Sequence, residues 1–400
     1  MIDFAEARTS LARIGAEARL PCERIAIART HGRILASDVI APIDLPPFDN
    51  SAMDGIALRS TDLAPSGDTV LRLSGEQFAG RDLGLALGAG ECIRITTGAP
   101  LPGGADAIAI REDVGEADGA VVVPAGAAQP GRYLRRAGED VRRGDRVLVA
   151  GSLLTPARVA LASALGIDRL DVAQRPTVAV FTSGDELVEP GLPLRRGEIH
   201  DANRELLMGL LRAEGLEPVA WPRLPDAPDR IATMLEDAGA NFDLVITCGA
   251  VSAGEKDHIP SLVERLGQVH FWKVAMKPGM PLLCGSIRRA TLLGLPGNPV
   301  SVLATWLALG RELVDAMQGR AEPRPRWHAR LTAPFEKKHT RREFLRGRLQ
   351  PGEDAVLRVA PDLANGSHRL AAATHADALI VLPEVARSYA PGDLVEVIPL

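Results

Sequence analysis

Residues 177–186 read TVAVFTSGDE and residues 243–257 read DLVITCGAVSAGEKD. Each is a short unbroken apolar run followed by a polar, glycine-containing turn. Apolar runs without alternation suit strands buried on both faces. Between them lie ANRELLMGLLRAEG (202–215), VAW (219–221) and APDRIATMLEDAG (227–239). The first segment sets Leu206, Leu207, Leu210 and Leu211 on one helical face and ends at Gly215; the third turns Ile231, Met234 and Leu235 inward. A helix near His258–Leu266 follows, then strand-like VHFWKV, PLLCG and TLLGL, and a helix from Pro299. Strand–helix alternation at this spacing predicts a mostly parallel sheet covered on both faces, a three-layer α/β domain over 174–320.

Outward from this centre the patterns change. Phe4, Ala7, Leu11, Ile14 and Ala18 recur at helical spacing until Pro21 blocks continuation. From about 50 to 145, short strand-like runs are broken by glycine and proline, which predicts a β-rich subdomain within an N-terminal region over 1–170. TPARVALASALG (155–166) reads as a helix capped by Thr155 with Pro156 at its first position. The turn-rich AEPRPR (321–326) marks a boundary. Beyond it RWHARLTA, AVLRVAP, DALIVLPE and DLVEVIPL are strand-like, and a small C-terminal β-barrel or sandwich over 326–400 is expected, the barrel being preferred. The fold class is therefore multi-domain α/β plus β.

Composition narrows the function classes. The chain has 400 residues, 46% apolar and 24% charged, enough for sizeable cores and too apolar for disorder. A net charge of -5 gives no general attraction to nucleic acid or membranes, so an anionic ligand needs a local basic site. Cys22, Cys92, Cys248 and Cys284 form no C-x-x-C pair, which argues against a zinc knuckle or disulfide framework. The most apolar run, Val300 to Leu309, is shorter than a membrane span and contains Ser301 and Thr305. The start of the chain lacks a signal-peptide pattern, and a cytoplasmic location is expected. Five lysines stand against 41 arginines, so each retained lysine draws notice.

In an open parallel α/β sheet, ligands bind at the carboxyl ends of the strands. The loops expected there carry Ser183, Gly184, Asp185 and Glu186; Asp226 and Asp229; Ser252, Gly254, Glu255 and Asp257; and Pro296, Gly297, Asn298 and Pro299. Clustered carboxylates suit Mg²⁺, and glycine-rich turns at helix N-termini suit phosphate. The same residue types also cap helices and close turns, so no single loop decides. FWKVAMKPGMP places Lys273 and Lys277 four apart. On one strand they would share a face and clamp an oxyanion; the alternative is two solvated lysines. A second constellation precedes the α/β domain: PPFDNSAMDG (46–55) with Asp54, TTGAPLPGGAD (96–106) with Thr97, and LRRAGEDVRRGD (134–145) with Arg135 and Asp140.

In this order, PPFDNSAMDG, RITTGAP, RRAGED, FTSGDEL, GAVSAGEKD, FWKVAMKPG and GLPGNPVS resemble the molybdopterin molybdenumtransferase family, also called MoeA, which includes the enzymatic end of gephyrin. The resemblance runs from GRILASDV (32–39) to GSH (366–368). It implies a MoaB/Mog-like central domain. It also implies insertion of molybdate into adenylylated molybdopterin with release of AMP, dependent on a divalent cation such as Mg²⁺. Asp185, Glu186 and Asp257 would serve the metal, with Asp226 in the same acidic cluster. Asp54 and Asp140, beside Thr97 and Arg135, would face the cleft from a second subunit of a homodimer. Lys273, Lys277, Arg346 and Ser367 would hold molybdate and the pterin phosphate. Ser183, Gly184, Ser252, Gly254 and the Pro296–Pro299 turn would cradle the cofactor precursor. Expected partners are small molecules, a molybdopterin adenylyltransferase and molybdoenzyme chaperones. The alternatives are a tungstate-preferring paralogue, an adenylyltransferase, which would not need PPFDNSAMDG or the barrel, and a non-catalytic scaffold. Ala250 and Met280 depart from the family's usual glycine and lysine at those positions.

Overall fold

A computed structural model describes residues 1–252, 257–362, 366 and 369–400; Gly254, Glu255 and Ser367 lie outside the described residues. The central sheet has the strand order Pro218–Ala220, Val178–Thr182, Leu244–Cys248, Ala290–Leu295, Leu283–Ile287, Gly267–Trp272. The first four are parallel, and Leu283–Ile287 runs antiparallel to both of its neighbours. Three of the strands, Val178–Thr182, Leu244–Cys248 and Ala290–Leu295, are buried at every residue. The two-residue period explains this. Val178 and Val180 pack with helices Ala202–Ala213 and Arg311–Met317, while Ala179 and Phe181 pack with Pro228–Asn241 and Ile259–Leu266 on the opposite face.

The first helix, Phe4–Glu17, is capped by Asp3, whose carboxylate accepts from the Glu6 N–H at 2.7 Å. Its stripe of Phe4, Ala7, Leu11 and Ile14 does not face the β-rich region that follows it in sequence. It enters the central core beside Leu313, Val314, Met317 and Phe344. Burial of Phe4, Leu11 and Ile14 is worth about 1.5–3 kcal/mol each as an upper estimate, so the chain start is fastened to the domain that carries the candidate site.

The rest of the N-terminal region forms two units. Cys22–Ala26 pairs with Arg169–Ala173, and Val39–Ile40 with Arg146–Leu148, around a core shared with helix Pro156–Ala164. Between them, Ala107–Ile110, Gly55–Leu58, Glu91–Ile95, Thr69–Gln77, Ala120–Val123 and Gly115–Ala117 form a six-stranded sheet in that order.

At the other end, Trp327–Leu331, Arg342–Pro351, Leu357–Pro361, Ala378–Leu382 and Leu394–Pro399 close into a five-stranded barrel, because Arg342–Pro351 pairs with both Leu357–Pro361 and Ala378–Leu382. The barrel is not loosely tethered. Arg324 of the AEPRPR segment pairs with Glu214 and with Asp315, each at 2.7 Å.

FWKVAMKPG departs from the expected single strand. The chain leaves the sheet after Trp272, turns at Lys273 with φ +69°, and Met276–Lys277 then pairs in parallel with Arg342 and Glu343 of the barrel. The inference that Lys273 and Lys277 share one strand face does not hold, because the segment bends between them to pass from one domain to the next.

Candidate functional site

The carboxyl ends of the parallel strands open into a cleft made of two adjoining cavities, of about 380 and 580 Å³. Glu186, Ile199, Ser252, Pro281, Pro296 and Gly297 line both, so the two form one continuous space.

The smaller cavity is built from turns. After Val178–Thr182 the chain is pinned at Ser183, whose N–H donates to the Cys248 carbonyl at 2.9 Å. Gly184 has φ +137°, and a Cβ there would lie 2.5 Å from the Glu186 carboxylate. Only glycine lets Glu186 fold back over the turn. Arg223 secures the turn from outside: its Nη1 donates to the carbonyls of Gly184, Asp185 and Leu187 at 2.9, 3.0 and 2.8 Å. Next to it, Gly249 sits at φ +91°, where a Cβ would meet the Ser183 carbonyl at 2.9 Å. Ala250 follows with φ +55°. Its Cβ does not prevent the left-handed conformation; it makes that conformation costly, by about 1–2 kcal/mol. The Trp272 indole N–H holds the Val251 carbonyl at 2.8 Å. The Pro296–Pro299 turn is held by Asn203, whose Nδ2 donates to the Gly297 carbonyl at 2.6 Å.

Glu186, Asp226 and Asp257 line this cavity. Asp185 does not. Its side chain is exposed outside both cavities, while its carbonyl is taken by Arg223. Among the described residues no group of three His, Cys, Asp or Glu is poised around a single metal position. Buried Asp201, unremarked in the sequence, also lines the cavity. It accepts from the Thr182 hydroxyl at 2.6 Å and caps helix Ala202–Ala213 through the Arg204 N–H at 3.1 Å.

The larger cavity has a cationic wall contributed mainly by the barrel. Lys277, Arg341 and Arg346 line it, with Glu343 between them in sequence. The Lys277 ammonium lies 2.9 Å from Glu343 Oε1. Arg346, 2% exposed, holds Asp362 at 2.9 Å. Arg341 approaches the Met280 sulfur at 3.9 Å, so the wall has a cation beside Met280. Lys273 lines neither cavity; its ammonium stacks 4.3 Å from the centre of the Trp272 ring, on the residue that holds the Val251 carbonyl.

Asp54, Thr97, Arg135 and Asp140 lie in the N-terminal region, exposed, and none lines either cavity. Their three loops are knitted together. Ser51 donates its N–H to the Ala99 carbonyl at 3.1 Å, Asn50 pairs with Arg135, and Asp49 accepts from the Ala137 N–H at 2.8 Å. Asp54 accepts from the Thr97 N–H at 2.7 Å and its hydroxyl at 2.8 Å. These donors, the amide first, hold the Asp54 carboxyl below its ordinary pKa.

An α/β domain with glycine-bearing turns faces a cationic barrel wall across one cleft, a geometry suited to an anionic small molecule. Residues 2–166 match the family described as MoeA N-terminal region (domain I and II). Residues 179–316 match the probable molybdopterin binding domain, and residues 328–400 the MoeA C-terminal region (domain IV). Molybdopterin molybdenumtransferase of Haemophilus influenzae is 37% identical over 379 residues, 94% of this chain and 93% of that protein. Molybdopterin molybdenumtransferase 2 of Mycobacterium tuberculosis is 37% identical over 399 residues, 96% of this chain and 97% of that one. A crystal structure of the molybdopterin biosynthesis MoeA protein of Pyrococcus horikoshii superposes with a TM-score of 0.79 at 31% identity, covering 100% of this chain and 99% of that one. A second MoeA structure from that organism gives 0.85 at 27% identity, covering 100% of both chains. The chain belongs to the molybdopterin molybdenumtransferase family, transferases of molybdenum cofactor biosynthesis.

Proposed function

We propose that this chain inserts molybdate into adenylylated molybdopterin and releases AMP, in the cytoplasm. The observation that carries this reading is the sharing of wall residues between the two cavities: an acidic, amide-rich end and a cationic end belong to one cleft. The glycine-bearing turns that follow Ser183, Gly249 and Pro296 suit the phosphates. Lys277 and Arg341 attract the molybdate dianion, and Arg346, anchored by Asp362, shapes the floor beneath it. The task of these groups is proximity: molybdate must wait within reach of the two dithiolene sulfurs while AMP departs.

The residues present fit Mg²⁺. It takes oxygen ligands and completes its shell with water and substrate phosphate, so one or two protein carboxylates suffice, and Glu186, Asp226 and Asp257 line one cavity. Bound there, it would neutralise charge on the phosphoanhydride. Asp54, Thr97, Arg135 and Asp140 would reach the same cleft from the second subunit of a homodimer, since within one chain they lie outside both cavities. An adenylyltransferase would supply the substrate and molybdoenzyme chaperones would receive the product. Glu186→Gln tests the reading: the variant should fold and melt as the wild type does, yet lose molybdenum insertion. Wild-type turnover in it would remove Glu186 from the site.

A further inference from the structure

The cationic wall contains its own anion. Glu343 lines the larger cavity, yet its side chain is only 3% exposed. The parallel ladder places Lys277 directly opposite Glu343, so the two side chains emerge on one face and meet at 2.9 Å. The second carboxylate oxygen lies 3.2 Å from His339 Nε2 without forming a hydrogen bond, and both of these buried atoms have no hydrogen-bond partner among the described residues. Lys337, 2% exposed, sits nearby and donates to the His339 carbonyl at 2.5 Å and to the Val385 carbonyl at 3.3 Å. Burial lowers the His339 pKa; Glu343 opposes this, and Lys277, Lys337 and Arg341 add to the lowering. The imidazole is thus neutral near pH 7 and does not neutralise Glu343.

We infer that Glu343 is an internal counter-ion for Lys277, a positioning residue that holds the ammonium at the cavity wall and must be displaced by the incoming oxyanion. The inference rests on the reading of this cavity as the oxyanion site. A carboxylate fixed on Lys277 lowers the affinity of every oxyanion alike, so abundant dianions such as sulfate fill the cavity less, at the same cost in molybdate affinity. The cost of displacing it is electrostatic: removing one negative charge a few ångströms from a bound dianion should tighten binding by at least about tenfold.

The test is calorimetric titration of the full-length protein with sodium molybdate and, separately, sodium sulfate. Glu343→Gln, nearly isosteric, should bind both at least about tenfold more tightly, and sulfate should become an inhibitor of insertion at correspondingly lower concentration. A merely structural role would weaken binding. Equal or weaker affinity in a variant that melts like the wild type overturns the inference. Should Glu343→Gln fail to fold, Glu343→Asp withdraws the carboxylate by one methylene and should still tighten binding by about two- to fivefold; no tightening there overturns it equally. Lys277→Ala separates the two levels. If it leaves wild-type oxyanion affinity unchanged, the cavity is not the oxyanion site and both the reading and the inference fall.

Discussion

Arg223 lines neither cavity, yet the geometry of the Gly184–Leu187 turn depends on it. Its Nη1 faces the carbonyls of Gly184, Asp185 and Leu187 at 2.8–3.0 Å. One guanidinium nitrogen carries two hydrogens, so this amounts to two full hydrogen bonds, one of them shared. Hydrogen bonds from a charged donor contribute about 1.5–3 kcal/mol each. At the lower end two such bonds would total about 3 kcal/mol; the side chain is partly exposed, solvent screening reduces this, and Arg223→Ala should cost the turn about 2 kcal/mol. At 1.4 kcal/mol per factor of ten, the open form of the turn becomes about 30-fold more populated. The amides to follow by hydrogen exchange are Leu187, which donates to Gly184 at 3.1 Å, and Ile199, which donates to Glu186 at 2.8 Å. Both should exchange about 30-fold faster, while amides of Leu244–Cys248 keep their protection. The insertion rate should fall in step, because Glu186 rides on this turn. Exchange within twofold of the wild type at Leu187 and Ile199 would refute the assignment of Arg223 as the anchor.

Other perturbations reach different parts of the molecule. If the cleft is completed by a second subunit, mixing an Asp54→Asn subunit with a Glu186→Gln subunit should restore one working cleft per heterodimer, read as activity where neither homodimer has any; absence of rescue argues for a cleft within one chain. Ala250→Gly should relieve the left-handed strain at φ +55°. Its gain of about 1–2 kcal/mol is offset by about 0.4–1 kcal/mol of unfolded-state entropy, so a net stabilisation of about 0.5–1 kcal/mol should appear in denaturant melts. Of the four cysteines, Cys22 is exposed and the others buried, and burial pushes the Cys92 thiol up to about 11 and the Cys284 thiol up to about 12. A thiol reagent should therefore modify one cysteine rapidly in the native protein and four after denaturation; rapid native modification of Cys284 would contradict its packing.

Much of the architecture was legible because burial left a clean pattern. The parallel strands show as unbroken apolar runs, and alternate residues of Val178–Phe181 serve two different cores. Glu186, Asp226 and Asp257 share one cavity because each sits on a loop at a strand end, a position the sequence marks. What escaped notice had its signal masked by charge. The longest barrel strand, Arg342–Pro351, contains buried Glu343 and Arg346, whose charges hide its apolar face until their partners Lys277 and Asp362 are seen. Lys273 was misplaced because the sequence does not show where the chain passes from sheet to barrel. Arg223 and Asn203 act on backbone carbonyls, and nothing in a side-chain motif marks such a partner. The first helix belongs to the N-terminal family region yet packs on the central core; its stripe says only that it packs, not against what.

The central claim is that one cleft brings molybdate and an adenylylated pterin together. The most direct measurement counts AMP released and molybdenum bound in the same reaction, with purified protein, adenylylated molybdopterin, Mg²⁺ and molybdate. The account predicts one AMP per molybdenum inserted, with both lost together in Glu186→Gln. Molybdenum insertion that proceeds without AMP release, or no insertion at all by the folded wild-type protein, would contradict it.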